Sequence, residues 1–291
     1  MQPKVALIVL THNARDMVCE CLESVFQINY DPLEIIVVDS GSVDDTSEVL
    51  QREYGHRIHL ITISYNARFS RANNEGIRYA LGSGARYIML INDDTAVDPM
   101  MIRELVAVAE ADPGIGAVGP KIYYWRPPDR IWFAGGRIHL HKGTAVHIGI
   151  RETDTGQYDE VRDVDYITGC GLMARREAWE QVGLLDPLFK AYCEDSDWCL
   201  RARRYGWRMT YVPAARMWHK ISAATGGQVT FYKFYHRLRS GFFLYLRHAS
   251  WYHFLTIPFF QVIDSVRVLL LLSRGGLRNT WEEPPETEGR K

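Results

Sequence analysis

The 291-residue chain is short of several things that would place it quickly. Its five cysteines (Cys19, Cys21, Cys170, Cys193 and Cys199) are odd in number and scattered, too few to staple a chain this long, so a disulfide framework is excluded and a reducing compartment is expected. No two have Cys-x-x-Cys spacing, and Cys19 and Cys21 would point to different sides of a helix, which argues against a cysteine zinc site. Excess charge is also lacking. Thirty-four basic residues against 35 acidic ones leave a formal charge of −1, and no global field favours nucleic acid as a partner. Long apolar runs are missing too: MQPKVALIVL has six apolar residues before the polar THN, too few for a secretion signal, so a cytoplasmic location is expected. Protein kinases and dehydrogenases are excluded by their absent lysine and glycine arrangements. GIGAVG (114–119) matches the dinucleotide fingerprint formally, but it follows a helical pattern and precedes a strand-like one, so it reads as a helix C-cap and turn.

What is present is an ordinary globular composition, 47% hydrophobic and 24% charged, with length for one large α/β domain or a domain plus appendage. Continuous Val/Ile-rich runs at 5–10, 34–40, 59–63 and 87–93 predict buried parallel strands. Segments 14–27, 44–53, 70–82 and 98–110 predict the helices between them, with Asp44, Ser70 and Asp98 as caps and Pro99 in a first turn. Such a doubly wound sheet binds ligands beyond the carboxyl ends of its strands, where Thr11–Asn13, Asp39–Ser42, Asn66 and Asn92–Asp94 fall. Beyond 115 the strand-like pieces are shorter (117–124, 131–141, 166–174), with helical stretches near 175–182 and 194–205.

Three places could carry chemistry. Asn92, Asp93 and Asp94 end a strand that should be buried, and two carboxylates there can hold Mg²⁺ or Mn²⁺ gripping a diphosphate; the plain alternative is a turn. Asp39 is another acid at the same edge, suited to a ribose or base. Glu194, Asp195 and Asp197 enter a helix at its first turn, where capping acids are common, yet one of them can serve as a general base. Asp197 has Arg201 at i+4, and Trp198 and Leu200 face inward. His219 follows a strand-like RMTYV; His139, His141 and His147 alternate without partner acids and read as surface residues.

Together the pieces resemble a family. THN, VDSGS followed by DD, the segment Asn66–Gly76 (Asn-x-x-Phe-Ser-x-Ala-Asn-Asn-x-Gly), LINDD, TGCGLMARREAWEQVGLLDPLF, YCEDSDWCLRARRYGW and WHK occur over residues 4–240 in the order seen in family 2 glycosyltransferases, especially the rhamnosyltransferase-like branch. The resemblance implies the GT-A fold, a Rossmann-like nucleotide-binding sheet with helices on both faces and a mixed acceptor-side half, plus C-terminal helices. It implies an inverting, metal-dependent enzyme that moves a sugar from a nucleotide diphosphate sugar, dTDP-rhamnose or a UDP-sugar, to a glycan or lipid-linked acceptor in cell-surface polysaccharide synthesis. By the same resemblance Thr11, Asn13, Asp39, Asn66, Arg71, Asn74 and Asp93 bind the donor, Asp94 and His219 the metal, and Asp195 is the base, with Glu194, Gly169 and Cys170 on the acceptor side. Arg68 and Arg71 stand where the family commonly has small residues. A sugar-nucleotide nucleotidyltransferase would follow its first strand with a Gly-rich basic loop, where THNARD stands here, and a non-catalytic binding or scaffold protein would not need Asp94, Asp195 and His219 intact.

The expected organisation is a catalytic unit over 1–227, split at 115/116 into nucleotide-sugar and acceptor halves, then a basic, aromatic helical extension over 228–278 and a disordered tail over 279–291. Residues 251–272 are strongly apolar but broken by Pro258, Gln261, Asp264 and Arg267, a poor membrane span. Gln261, Asp264 and Ser265 form a narrow polar stripe, and Arg247, Trp251, Tyr252, Arg274 and Arg278 flank the segment as interfacial anchors would. This predicts peripheral contact of 250–278 with the inner leaflet of the plasma membrane; packing on the catalytic unit or in a homodimer is the alternative.

Overall fold

A computed structural model describes residues 2–220, 231–260 and 262–263. The expected tail, residue 261 and everything from 264 onward, including the stripe and anchors there, lie outside the described residues.

Strands β1 (Val5–Thr11), β2 (Leu33–Ser40), β3 (His59–Ile63) and β4 (Tyr87–Asn92) are parallel, in the order β4-β1-β2-β3. Between them run α1 (Arg15–Val25), a short α2 (Thr46–Val49) continued by a π-turn through Tyr54, and α3 (Arg68–Gly82). β1 lies between two partners, so Val5 to Val9 are wholly buried, and Val5, Leu7, Ile8 and Val9 each contribute about 1.5–3 kcal/mol of burial. β3 was expected to be as buried as the others, but it forms the sheet edge and is only half covered. α3 approaches the sheet closely because Gly76 carries no Cβ; one there would meet Ile8 at 2.8 Å and Val38 at 3.1 Å.

The chain then reverses direction. β5 (Thr95–Val97) and α4 (Met101–Ala111) lead to β6 (Ile115–Tyr124), so most of GIGAVG is strand rather than turn; only Gly114 is held in one, donating its N–H to Asp112 Oδ1. After β7 (Ile131–Phe133) and the hairpin β8 (Gly136–His139) and β9 (Thr144–His147), the strands β10 (Arg162–Val164), β11 (Gly171–Arg175) and β12 (Arg208–His219) complete a mixed ten-stranded sheet of order β10-β12-β6-β11-β4-β1-β2-β3, with β5 on β12 and β7 on β6. Helices α5 (Arg176–Val182) and α6 (Glu194–Arg204) stand between β11 and β12.

Helix α7 (Phe231–His248) packs Leu244 and Tyr245 on Phe189, in the segment leading to α6. Asp197 clamps it there. That wholly buried carboxylate receives Arg201 Nε at 2.8 Å, Arg247 Nη1 at 3.1 Å and His248 Nε2 at 2.8 Å, and these partners hold its acidity stronger than usual against the opposing effect of burial. Arg247 is therefore an internal tie rather than the interfacial anchor expected of it.

Candidate active site

The register sets Thr11 beside Asp39 and Leu10 beside Asn92, which brings the carboxyl ends of β1, β2 and β4 to one rim. Asp39 is buried, and its Oδ1 accepts from Ser42 N at 2.9 Å and Ser42 Oγ at 2.6 Å, while Oδ2 accepts from the Ser47 hydroxyl. A carboxylate has about four acceptor sites, so one remains for a ligand hydroxyl. Asn13, in the left-handed region that Asn tolerates, donates its N–H to Ser42 Oγ at 2.8 Å and accepts from Val43 N at 2.8 Å. Its work is to knit the two loops together. Gly41 lets the β2 loop approach the one after β3, since a Cβ there would fall on the Tyr65 backbone.

Asp93 and Asp94 follow β4, and β5 then doubles back to pair with the end of β12, setting His219 opposite Thr95. His219 Nε2 consequently stands 3.0 Å from Asp94 Oδ1. That is ion-pair distance off the hydrogen-bond line: Asp94 Oδ1 and His219 Nδ1 are both buried without a hydrogen-bond partner. Burial pushes the Asp94 carboxyl up, but His219 outweighs it and the net direction is down. Burial likewise opposes charge on His219, yet Cys170 and Asp94 overcome it and hold the imidazolium well above its usual range. Asp93 goes the other way: burial pushes it up to about 7, Thr11 moderates this, and the Asp94 charge adds to it. Trp132 packs edge-on against His219, 4.6 Å between ring centroids, a neighbour that no sequence signal announced.

An orphaned carboxylate oxygen beside an imidazole is a donor set for a divalent cation. No cluster of three or more His, Cys, Asp or Glu able to hold a metal occurs among the described residues. Asp94 and His219 fit two positions, with the remainder left to a ligand's oxygens and water.

Asp195 enters the rim from α6, whose first turn follows Tyr192 and Cys193 with φ of 66° and 68°. Its Oδ1 accepts from Ser196 N at 2.6 Å and Ser196 Oγ at 3.1 Å, and its Oδ2 from Gly169 N at 2.9 Å. Burial raises its affinity for a proton, only partly offset by those bonds. Glu194 is buried with Oε2 unpartnered, and burial, reinforced by the Asp195 charge, pushes it up to about 8. Of the three acids in this turn Asp197 turns away, into the clamp on α7.

Two consecutive residues join the two acidic places. Gly169 donates to Asp195, while Cys170, also buried, acts electrostatically on His219, which stands 3.0 Å from Asp94. Phe69, not singled out from the sequence, fills the space over Gly169 at which a Cβ would come within 2.9 Å of its ring.

Other expected site residues lie apart. Asn66 Oδ1 accepts from Arg68 N at 3.1 Å, and Arg71 is exposed on a cavity of about 630 Å³ between β3, α3 and Pro187, which Asp94, Asp195 and His219 do not line. Asn74 lines that cavity too, but its amide donates to Leu185 O at 2.8 Å and accepts from Leu185 N at 3.0 Å. Asn74 thus fastens α3 to the acceptor side, in place of the ligand contact expected of it. Ser70 is no cap: it sits inside α3 and donates to Phe189 O at 2.9 Å. Asp44 and Asp98 accept from Thr46 N and Met100 N in the turns that precede α2 and α4, but the N-cap positions expected of them are held by Asp45 and Met100. His147 is half-buried against Trp132 and Phe133, not a surface residue.

Residues 6–183 match the model of the family described as Glycosyl transferase family 2, more than half of the chain. The chain belongs to glycosyl transferase family 2. Among relatives, this family 2 chain is 28% identical over 242 residues to the N-acetylglucosaminyl-diphospho-decaprenol L-rhamnosyltransferase of Mycobacterium tuberculosis, covering 76% of this chain and 77% of that one. It is 30% identical over 249 residues to a protein of Sinorhizobium fredii, covering 78% of this chain but spanning only 26% of that protein's length. Its fold is the mixed α/β GT-A fold. A mannosyltransferase from Pyrobaculum calidifontis, solved with GDP-Man and Mn²⁺, superposes with a TM-score of 0.55 at 18% identity over 94% of this chain and 80% of that one.

Proposed function

We propose that the protein transfers a hexose, L-rhamnose from dTDP-rhamnose or the sugar of a UDP-sugar, to a hydroxyl of a glycan or lipid-linked acceptor with inversion, as a step of cell-surface polysaccharide synthesis. Residues 1–115 hold the donor and 116–227 the acceptor. The nucleoside lies against Thr11, Asn13 and the remaining acceptor site of Asp39, with Asp93 at the margin. Asp94 and His219 hold Mg²⁺ or Mn²⁺, which when bound neutralises charge on the departing diphosphate.

Asp195 takes the proton from the acceptor hydroxyl. That oxygen bonds to the anomeric carbon from one face as the bond to the diphosphate breaks on the other, and the leaving group carries away the electron pair. Gly169 N–H aims the carboxylate, and Glu194, Gly169 and Cys170 wall the acceptor side. The rhamnosyl activity in the mycobacterial relative's name favours a deoxyhexose, and its decaprenol-linked acceptor favours a lipid carrier. What supports the reading is that Gly169 N–H holds Asp195 while its buried neighbour Cys170 acts electrostatically on His219, which stands 3.0 Å from Asp94.

A thermal-shift panel of nucleoside diphosphates and their sugars, with and without Mn²⁺ or Mg²⁺, tests it. A ligand at 100 times its Kd stabilises the folded state by about 2.7 kcal/mol. One diphosphate series should raise Tm only with the divalent ion; no shift with any of them would refute the reading.

A further inference from the structure

The surface left over by the site is at the C-terminal helices. Leu238, Phe242 and Leu246 recur every fourth residue along α7; Trp251, in the turn that follows, and then Leu255, Phe259 and Val262, along a helical segment at 253–260 and just past it, are exposed as well. These seven side chains are 48% to 77% exposed. Large apolar residues exposed in line, on an otherwise well-buried chain, mark an interaction face.

The opposite faces are already occupied. Leu244 and Tyr245 pack on Phe189, Arg247 ties α7 to Asp186 and Asp197, and Thr256 Oγ1 donates to His141 O at 2.8 Å while Ile257 joins the Phe189 cluster. The exposed face therefore cannot fold back on the body without breaking those ties.

We infer that this face is an interfacial docking surface for an anionic lipid bilayer, lying on the membrane without crossing it. No described helix is long and apolar enough to cross a membrane. Trp251 and Tyr252, both exposed at the junction of the two helices, have the amphipathic rings that favour the headgroup level. In sequence, residues 228–263 hold Lys233 and Arg237 besides the internally tied Arg239 and Arg247, and not one Asp or Glu, which suits an anionic surface. A second copy of the chain is the poorer occupant, because a two-fold contact would set this acid-free strip against itself.

The face also adjoins the site. Arg239 donates to Leu188 O at 3.0 Å and Ser240 to Ala191 O at 2.7 Å, so α7 holds the strap that leads into Glu194 and Asp195. A chain seated this way would take a lipid-linked acceptor from the same bilayer; that consequence rests on the proposed function, whereas the docking itself does not.

Flotation of the full chain with vesicles of phosphatidylcholine, alone or mixed with phosphatidylglycerol, tests it. The chain should float with the mixed vesicles, and Leu255→Glu/Phe259→Glu and Phe242→Glu/Leu246→Glu should each lower the partition coefficient on the order of a hundredfold with Tm unchanged. Absence of flotation with mixed vesicles, variants that float like the parent, or variants that turn a dimer into a monomer while no vesicle is bound would overturn it, the last assigning the face to a second copy. Equal flotation with pure phosphatidylcholine would overturn the anionic preference. The nucleoside diphosphate thermal shift is expected unchanged in both variants, so failure here and failure of the transferase reading are told apart.

Discussion

The two acidic pairs of the cleft, Asp93–Asp94 and Glu194–Asp195, are built to opposite ends. Asp94 has a cationic side chain 3.0 Å away and stays ionised despite its burial, with an oxygen left over. Among the described residues no cationic side chain pairs with Asp195; backbone amides and a hydroxyl hold it in place while burial raises its proton affinity. A carboxylate kept charged and under-coordinated suits a metal ion. One oriented by neutral donors and inclined toward a proton suits a general base. The difference teaches that the counter-charge, more than the carboxyl group, assigns the role, and each variant below removes one side of the contrast.

The largest effect is expected from Asp195→Asn, which keeps the shape and, through its one amide oxygen, a backbone bond from Gly169 or Ser196, but cannot take a proton. Turnover should fall about 10²–10⁴-fold with donor affinity nearly intact, measured by initial rates beside nucleotide calorimetry. Retained turnover would remove Asp195 from its role. Asp94→Ala should do the reverse, weakening Mn²⁺-dependent nucleotide binding by at least about a hundredfold in calorimetry, beyond what loss of an outer-shell partner costs.

Asp197→Ala sharpens the contrast from outside the cleft. It leaves Arg247 and His248 without their buried counter-ion and should cost about 3 kcal/mol in denaturant unfolding. Turnover should suffer through the strap to Asp195 while nucleotide affinity, set on the far side, holds.

The smallest effect concerns pH. Glu194 has a folded pKa raised from 4.5 to about 8, so between those values the folded state binds a proton the unfolded chain has lost, and stability declines as pH rises across that window. Glu194→Gln should flatten that decline in metal-free buffer, seen by denaturant midpoints at pH 5 and pH 8; an unaltered slope would place the titration elsewhere.

Much of this contrast was legible in the chain. Continuous apolar runs located β1 to β4 to within a residue or so; for β1 and β4 this is because a strand covered on both faces has few polar positions to blur its ends. Asp94 and Asp195 stood among acids that close or open such elements, and it was the family resemblance that singled them and His219 out. What could not be read depended on pairings across the fold. The Asp94–His219 contact needs β5 to return against β12, and Ser70 and Asn74 look like cap and ligand until the 185–193 strap lies over them. Arg247 looked like an anchor because nothing local announces that Asp197, a helix and a strap away, is its partner. Below residue 115 short connections make neighbours of consecutive elements; above it the partners are distant in sequence, and the local pattern carries less.

The most direct test is a crystal of the protein with Mn²⁺ and the nucleoside diphosphate that the thermal shift selects, with data collected at the manganese edge. One anomalous peak touching both Asp94 and His219, with the diphosphate between it and Asp195, is the predicted result. A peak bound elsewhere, or a diphosphate seated in the β3–α3 cavity away from all three side chains, would contradict the assignment.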